Sequence, residues 1–212
     1  MGTQIYVYIV TALLSYFIGS ISFSVIICKK IAGFDIREKG SGNAGSTNVL
    51  RTIGTKAAVI TLIGDILKGI IAILIALWTG SVFKNINPAL LVQIAGVSVI
   101  LGHTFPILFK FKGGKGVATA LGVLLISNWQ IGLICLVFAL VLMICTRMVS
   151  CGSVAAAILF PVLTIFISEN YLVEGNYFIY SVILAIIIAF NHRKNIKRIL
   201  NGTERKIGQK ID

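Results

Sequence analysis

The chain has 212 residues, 57% of them hydrophobic and 12% charged, with a mean hydropathy of +0.97, which excludes a water-soluble globular domain. Its 19 Lys plus Arg against 7 Asp plus Glu give a net charge of +12; in a soluble chain that balance raises nucleic acid as a partner, but here membrane topology accounts for it, and no nucleic acid is expected. The reading is an all-α polytopic membrane protein, one domain over 1–212 with an amphipathic tail at 191–212.

Apolar windows run from Ile5 to Cys28, Ala57 to Trp78, Ala89 to His103, Val117 to Ser127, Gln130 to Thr146, Ser153 to Ser168 and Tyr177 to Phe190. With about 20 apolar residues needed to cross a bilayer, they predict about seven transmembrane helices. No Lys or Arg precedes the first run and no small-residue cleavage site follows it, so it reads as a retained span and not as a removable signal peptide. Val117 to Ser127 is about 16 Å long at helical rise, short for a hydrocarbon core of about 30 Å, and so reads as a short or partial span. Cys28, Cys135, Cys145 and Cys151 form no C-x-x-C pair and read as small structural hydrophobes.

The loops alternate in charge. Lys29 to Lys56 carries six Lys or Arg, Thr104 to Gly116 three, the turn at Arg147 one and Asn191 to Asp212 seven, whereas the opposite loops hold only Lys84 with Glu169 and Glu174. The positive-inside rule then places the N-terminus outside and the basic loops and C-terminus in the cytoplasm. Fusing Val117–Ser127 with Gln130–Thr146 into one helix would export the seven cations of the tail, so a hairpin is expected, with Asn128 and Trp129 at the outer interface. In the tail, Ile196, Ile199 and Leu200 recur at helical spacing among basic residues, the pattern of an amphipathic helix on the inner surface.

Three polar, glycine-bearing segments fall on that cytoplasmic side. Gly40 to Arg51 reads GSGNAGSTNVLR, a formal G-x-G-x-x-G, but no strand precedes it and the dinucleotide reading fails. What remains is either an ordinary polar turn or glycines that let backbone N–H groups approach a phosphate, with Arg51 as a bidentate clamp. Lys110 to Thr119 reads KFKGGKGVAT and leads into the short helix. It lacks the spacing of a nucleotide P-loop, so ATP or GTP is not implied, but it suits an anion cradle at a helix start. His192 and Asn195, at i and i+3, share a helical face and suit a substrate hydroxyl or phosphate, or else a headgroup anchor. Asp65 and Lys68, also i and i+3 and inside a span, are costly to bury and read as structural support; His103 reads as structural or interfacial. Serine-hydrolase, H-E-x-x-H and Cys/His metal spacings are absent from the sequence, which disfavours a covalent serine enzyme or a zinc site.

At these segments the sequence resembles the bacterial membrane acyl-phosphate:glycerol-3-phosphate acyltransferases, the PlsY family. The resemblance extends over nearly the whole chain: Gly19-Ser20-Ile21, the run from Gly40 to Arg51, Asp-Ile-Leu-Lys-Gly from Asp65, Gly-His-x-Phe-Pro from Gly102, Lys-Gly-Gly-Lys-Gly-Val-Ala-Thr from Lys112, and His-Arg-x-Asn-Ile-x-Arg from His192. Ser22 stands where the family usually has Pro and Ser46 where it usually has Ala.

The resemblance implies a seven-helix inner-membrane enzyme of phospholipid biosynthesis that moves an acyl group from acyl phosphate to the sn-1 hydroxyl of glycerol 3-phosphate, giving lysophosphatidic acid and phosphate. It implies Ser41, Arg51, Lys115, His192 and Asn195 as catalytic residues. Gly42, Asn43, Thr47, Asn48, Gly113, Gly114, Gly116 and Thr119 would bind substrate phosphate, and Glu204 would join Asp65 and Lys68 as structural support. Its partners would be the two substrates and membrane lipid, with no cofactor and no metal. The alternatives are a small transporter or channel lined by Asp65 and Lys68, and a phospholipid enzyme with another donor such as acyl-CoA.

Overall fold

The computed structural model describes residues 2–83, 85–167 and 176–209, and among them every regular element is helical. Lys84, Glu169 and Glu174 of the expected outer loops, Ser168 at the end of an expected window, and Lys210 and Asp212 of the tail lie outside the described residues. Two compact units form, Met1–Ser127 and Asn128–Asp212.

The first unit contains α1 (Gly2–Gly19), α2 (Phe23–Ala32), α3 (Ser46–Thr52), α4 (Thr55–Val82), α5 (Pro88–Thr104) and α6 (Val117–Ser127). The sequence shows one uninterrupted apolar run from Ile5 to Cys28, yet the helix breaks at Ser20–Ser22. A break at membrane depth leaves carbonyls without donors, and hydrocarbon offers none. Here Ser20 N–H and its hydroxyl both donate to Tyr16 O at 2.9 Å, and the Lys68 ammonium, reaching from α4, donates to Ile21 O at 3.1 Å.

α4 is inside out relative to a helix in water. Ile60, Ile63, Leu67, Ile71, Leu74 and Trp78, spaced by three or four, are exposed, while Thr61, Gly64, Asp65, Lys68, Gly69, Ala72 and Ala76 are buried. Lipid contacts the large apolar stripe, and small or polar residues face protein. Close crossings depend on those small residues. A Cβ at Gly69 would collide with Thr119 O and one at Gly122 with Ile66 O, which brings α6 onto α4; Gly19 against Val99 O and Gly102 against Tyr16 O do the same for α1 and α5.

The second unit contains α7 (Trp129–Thr146), α8 (Val149–Phe166), α9 (Tyr177–Asn191) and α10 (Arg193–Leu200). α7 begins as a separate helix because Asn128 leaves helical geometry and its Oδ1 accepts from Ile131 N–H at 3.1 Å, an N-cap that ends any continuation of α6. Phe160 of α8 packs edge-on to Tyr177 and Tyr180 of α9, with centroids 6.0 and 6.3 Å away. Among the described residues five helices are long and apolar enough to cross a membrane, and Val117–Ser127 and Tyr177–Asn191 are shorter apolar ones. The expected windows thus fall on apolar helices of an integral-membrane chain, the first of them divided between α1 and α2.

Gly122→Val is expected to lower the detergent unfolding midpoint by an amount equivalent to about 2 kcal/mol, because the added carbons overlap Ile66 O across the crossing. Unfolding monitored by circular dichroism in increasing dodecyl sulfate checks this, with the exposed Ile63→Val as control.

Candidate active site

The first polar segment rests on an apolar pedestal. Val25 and Cys28 of α2, Ile36, Ala44, Val49 of α3, and Ala57 and Ala58 of α4 are buried together, with Phe34, Ile53 and Phe109 packed against them. Above it, residues 36–38 form a 3-10 turn capped by Asp35, whose carboxylate accepts from Arg37 N–H at 3.0 Å. The Arg37 guanidinium returns to the same carboxylate at 2.9 and 2.6 Å and also donates to Phe109 O and Lys112 O, clipping the first loop to the second. The Arg37 hydrogen bond holds Asp35 down at about 2 against the opposing effect of burial, and the charges of Arg37 and Lys29 add to it.

Asn48, on α3, organises the loop. Its Oδ1 accepts from Ser41 N–H at 2.9 Å, and its Nδ2 donates to Ile36 O, Lys39 O and Asn43 O at 3.0 to 3.1 Å. One buried amide therefore gives Ser41 N–H its acceptor and ties together three carbonyls that also accept from Lys39, Gly42 and Gly45 N–H in the curled backbone between α2 and α3. Gly42 sits at φ +73, a conformation strained for any residue with a Cβ. Ser41 and Gly42 are exposed, and Asn43, Thr47 and Arg51 half-buried.

The second segment folds back on the end of α5. Gly113 N–H donates to Thr104 O and Gly114 N–H to His103 O, each at 3.1 Å, and Ala44 N–H donates to Gly113 O at 3.4 Å. The two glycine-bearing loops are therefore joined within the first unit. Lys110 and Phe111 both take left-handed backbone angles, φ 58 and 56. Gly116 at φ +87 turns the chain into α6, and Lys115 is half-buried just before it. Thr119, in the first turn, is fully buried, with its hydroxyl unpartnered.

Beneath this loop, Lys68 Nζ lies 2.9 Å from Asp65 Oδ1, and His103 Nδ1 approaches the same oxygen at 3.4 Å. All three are buried. The Asp65–Lys68 spacing read from the sequence is an ion pair, and His103 belongs to it.

In the second unit, His192 and Asn195 flank the start of α10 and are both buried. His192 Nδ1 lies 2.8 Å from Ile188 O; a carbonyl only accepts, so Nδ1 carries the proton in the neutral ring and Nε2 the lone pair. Asn195 Nδ2 donates to Glu204 Oε1 at 2.7 Å, Ser150 Oγ donates to that oxygen at 2.7 Å, and Arg198 Nε donates to Oε2 at 2.8 Å. Burial alone raises the Glu204 carboxyl, but the hydrogen bonds from Arg198, Ser150 and Asn195 outweigh it and the net displacement is downward. Ile207 N–H donates to Arg147 O at 2.7 Å, which ties the tail to the α7–α8 turn.

The first unit thus brings Ser41, Asn48 and the Gly113–Gly116 loop into one connected structure, and the second brings His192, Asn195 and Glu204 together. Sequence reading did not single out Asp35 and Arg37, Ser150, Arg198, or His103 as a neighbour of the second loop. Asp-x-Arg beside the glycine segment and the last Arg of His-Arg-x-Asn-Ile-x-Arg were visible as signals; the remaining partners are distant in the chain.

These features define an integral-membrane acyltransferase, as comparison with known proteins makes plain. The glycerol-3-phosphate acyltransferase family model matches residues 9–202, and the chain belongs to that family. The glycerol-3-phosphate acyltransferase of Clostridioides difficile (strain 630) is 45% identical over 207 residues, 98% of each chain. The crystal structure of PlsY (YgiH), an integral membrane glycerol 3-phosphate acyltransferase, in its glycerol 3-phosphate form superposes with a TM-score of 0.83 at 35% identity, covering 95% of this chain and 96% of that one. Its lysophosphatidic acid form gives 0.80 at 33% identity, covering 95% of each. The transporter alternative does not survive this assignment.

Asn48→Ala is expected to cut acyltransferase kcat/KM by about 100-fold or more and to cost about 2 kcal/mol of stability through the lost Ser41 N–H acceptor and the lost ties to three carbonyls, both measurable on detergent-purified protein. Because Asp35 is displaced downward, its contribution is complete above about pH 4 and lost as pH falls towards its folded value of about 2. A stability loss on the order of 1 kcal/mol over that window is expected, after solvent screening, and Asp35→Asn should remove it; acid titration of the folded fraction is the check.

Proposed function

We propose that the chain transfers a fatty acyl group from acyl phosphate to the sn-1 hydroxyl of glycerol 3-phosphate, yielding lysophosphatidic acid and inorganic phosphate, at the cytoplasmic face of the bacterial inner membrane. The observation that carries the reading is the joining of two glycine-bearing, cationic loops through Ala44 N–H and Gly113 O, because both substrates present a phosphate. The sidedness follows from the seventeen cations gathered in one set of loops. The glycerol 3-phosphate and lysophosphatidic acid forms of the solved relative support the acceptor and the product. The chain acts as one domain, with the basic helix α10 lying on the inner surface.

Acyl phosphate is a mixed anhydride, already activated. The glycerol hydroxyl oxygen forms a bond to the acyl carbonyl carbon, the carbon–oxygen bond to phosphate breaks, and phosphate leaves with the electron pair. No acyl-enzyme is needed; positioning and charge stabilisation suffice. Lys115, Arg51 and the Gly116 N–H hold phosphate charge. The Gly113 and Gly114 N–H groups are committed to Thr104 O and His103 O, so these two glycines serve by letting the loop backbone approach the phosphate, with Ser41, Gly42, Asn43, Thr47 and Thr119 completing the contacts. Asn48 acts through the loop it organises. The hydroxyl proton passes to His192 Nε2 or to a substrate phosphate, and Asn195, oriented by Glu204, holds the hydroxyl. The acyl chain stays in lipid throughout, so only the headgroup enters the polar loops.

The test supplies purified protein with glycerol 3-phosphate and either acyl phosphate or acyl-CoA, and measures lysophosphatidate and released phosphate. Formation from acyl phosphate alone is expected, with Lys115→Met lowering kcat/KM by about 100- to 1,000-fold. Product from acyl-CoA alone would overturn the donor, and an acyl group trapped on Ser41 would overturn direct transfer.

A further inference from the structure

We propose that His103 is a positioning residue that sets the place of the Lys115 loop, and that it does so from the buried charge pair beneath it. The inference rests on the phosphate-loop reading of Lys115. His103 ends α5 with 7% of its surface exposed, and it meets the loop twice. Its carbonyl accepts from Gly114 N–H at 3.1 Å, and its ring lies so close to Gly114 that a Cβ there would collide with Nε2. The other ring nitrogen, Nδ1, faces Asp65 Oδ1 at 3.4 Å. Asp65 is fixed in turn by Lys68 at 2.9 Å, and Lys68 is fixed by Ile21 O at 3.1 Å.

The series runs without interruption from the break in the first span, through Lys68 and Asp65, to the imidazole, Gly114 and Lys115. A carboxylate offers no proton, so the neutral ring turns a protonated Nδ1 towards it, and this 3.4 Å polar contact sets the plane in which Nε2 meets Gly114. A buried pair serving structure alone needs no third partner, and a histidine serving structure alone needs no glycine against its ring. Gly114 sits between His103 and Ala44 O, with room for no side chain, so the ring position is passed to the loop backbone and is not absorbed by a flexible group. Displacing a substrate-holding cation by a fraction of an ångström affects binding first.

Two variants separate the two ring contacts. His103→Asn keeps a donor at the place of Nδ1 but is too short to reach Gly114; His103→Gln reaches Gly114. Hydrogen exchange of backbone amides in residues 110–118 is followed together with that of α4 and α5, alongside steady-state kinetics. The expected result for H103N is loop exchange faster by about 10-fold or more, and a KM for the substrate phosphate raised about 10-fold with kcat within about threefold; exchange in α4 and α5 stays unchanged, and H103Q lies nearer the wild type on both measures. Loop exchange in H103N equal to wild type overturns the proposal, as does acceleration spread evenly over α4 and α5, which would mark a purely structural residue. Should the wild type fail to use acyl phosphate, the reaction assigned above falls, while the exchange experiment still decides the role of His103.

Discussion

A lysine ammonium inside a span is tolerable only if every one of its demands is met locally, and meeting those of Lys68 organises the first unit. The ion pair with Asp65 offsets the loss of hydration. The bond to Ile21 O supplies the donor that the broken first span lacks. Beyond the break, α2 contributes Val25 and Cys28 to the pedestal under the Gly40–Arg51 loop. Replacing Lys68 with an apolar residue would therefore strand a carboxylate and a carbonyl together, and the consequence would reach a loop many residues away.

The fold was legible because membrane helices are written in long apolar windows, and charge parity even forced the stop between α6 and α7 that Asn128 executes. The break at Ser20–Ser22 was not legible: its residues are apolar or small, and its cause is a lysine on another helix. The site divided in the same way. Ser41, Lys115, His192 and Asn195 stand in motifs whose glycine and basic content shows in the sequence. Asn48 looked like a further ligand, whereas its amide is spent on four backbone groups. Ser150 and Glu204 are 54 residues apart, and Arg37 is 72 residues from Phe109, distances at which no periodicity carries information. Asp65 and Lys68 were visible as an i, i+3 pair, but His103 comes from a different helix.

Acyl transfer from an activated donor asks little of a protein in covalent chemistry and much in fixed charge. The structure answers with backbone. The loops that carry the candidate phosphate ligands are pinned by groups outside their own turns: the Asn48 amide for the first, the Arg37 guanidinium across both, and for the second the carbonyls at the end of α5, which accept from Gly113 and Gly114 N–H. Preorganisation of this kind lets a site meet a dianionic group without rearranging during the reaction. In the second unit Glu204 plays the matching part, holding Asn195, Ser150 and Arg198 around one carboxylate.

The position of Glu204 in the chain has a consequence for biosynthesis. It follows every apolar helix, so the ribosome delivers it only after all the spans have been handed to the membrane. Until then Asn195, Ser150 and Arg198 have no acceptor to gather around, and the α7–α8 turn has no strand of tail to pair with Arg147. Domains generally fold as units during synthesis, the N-terminal one first. In this chain the cluster around Glu204 can close only after α9 has emerged, so the packing of the second unit depends on a residue made after its helices.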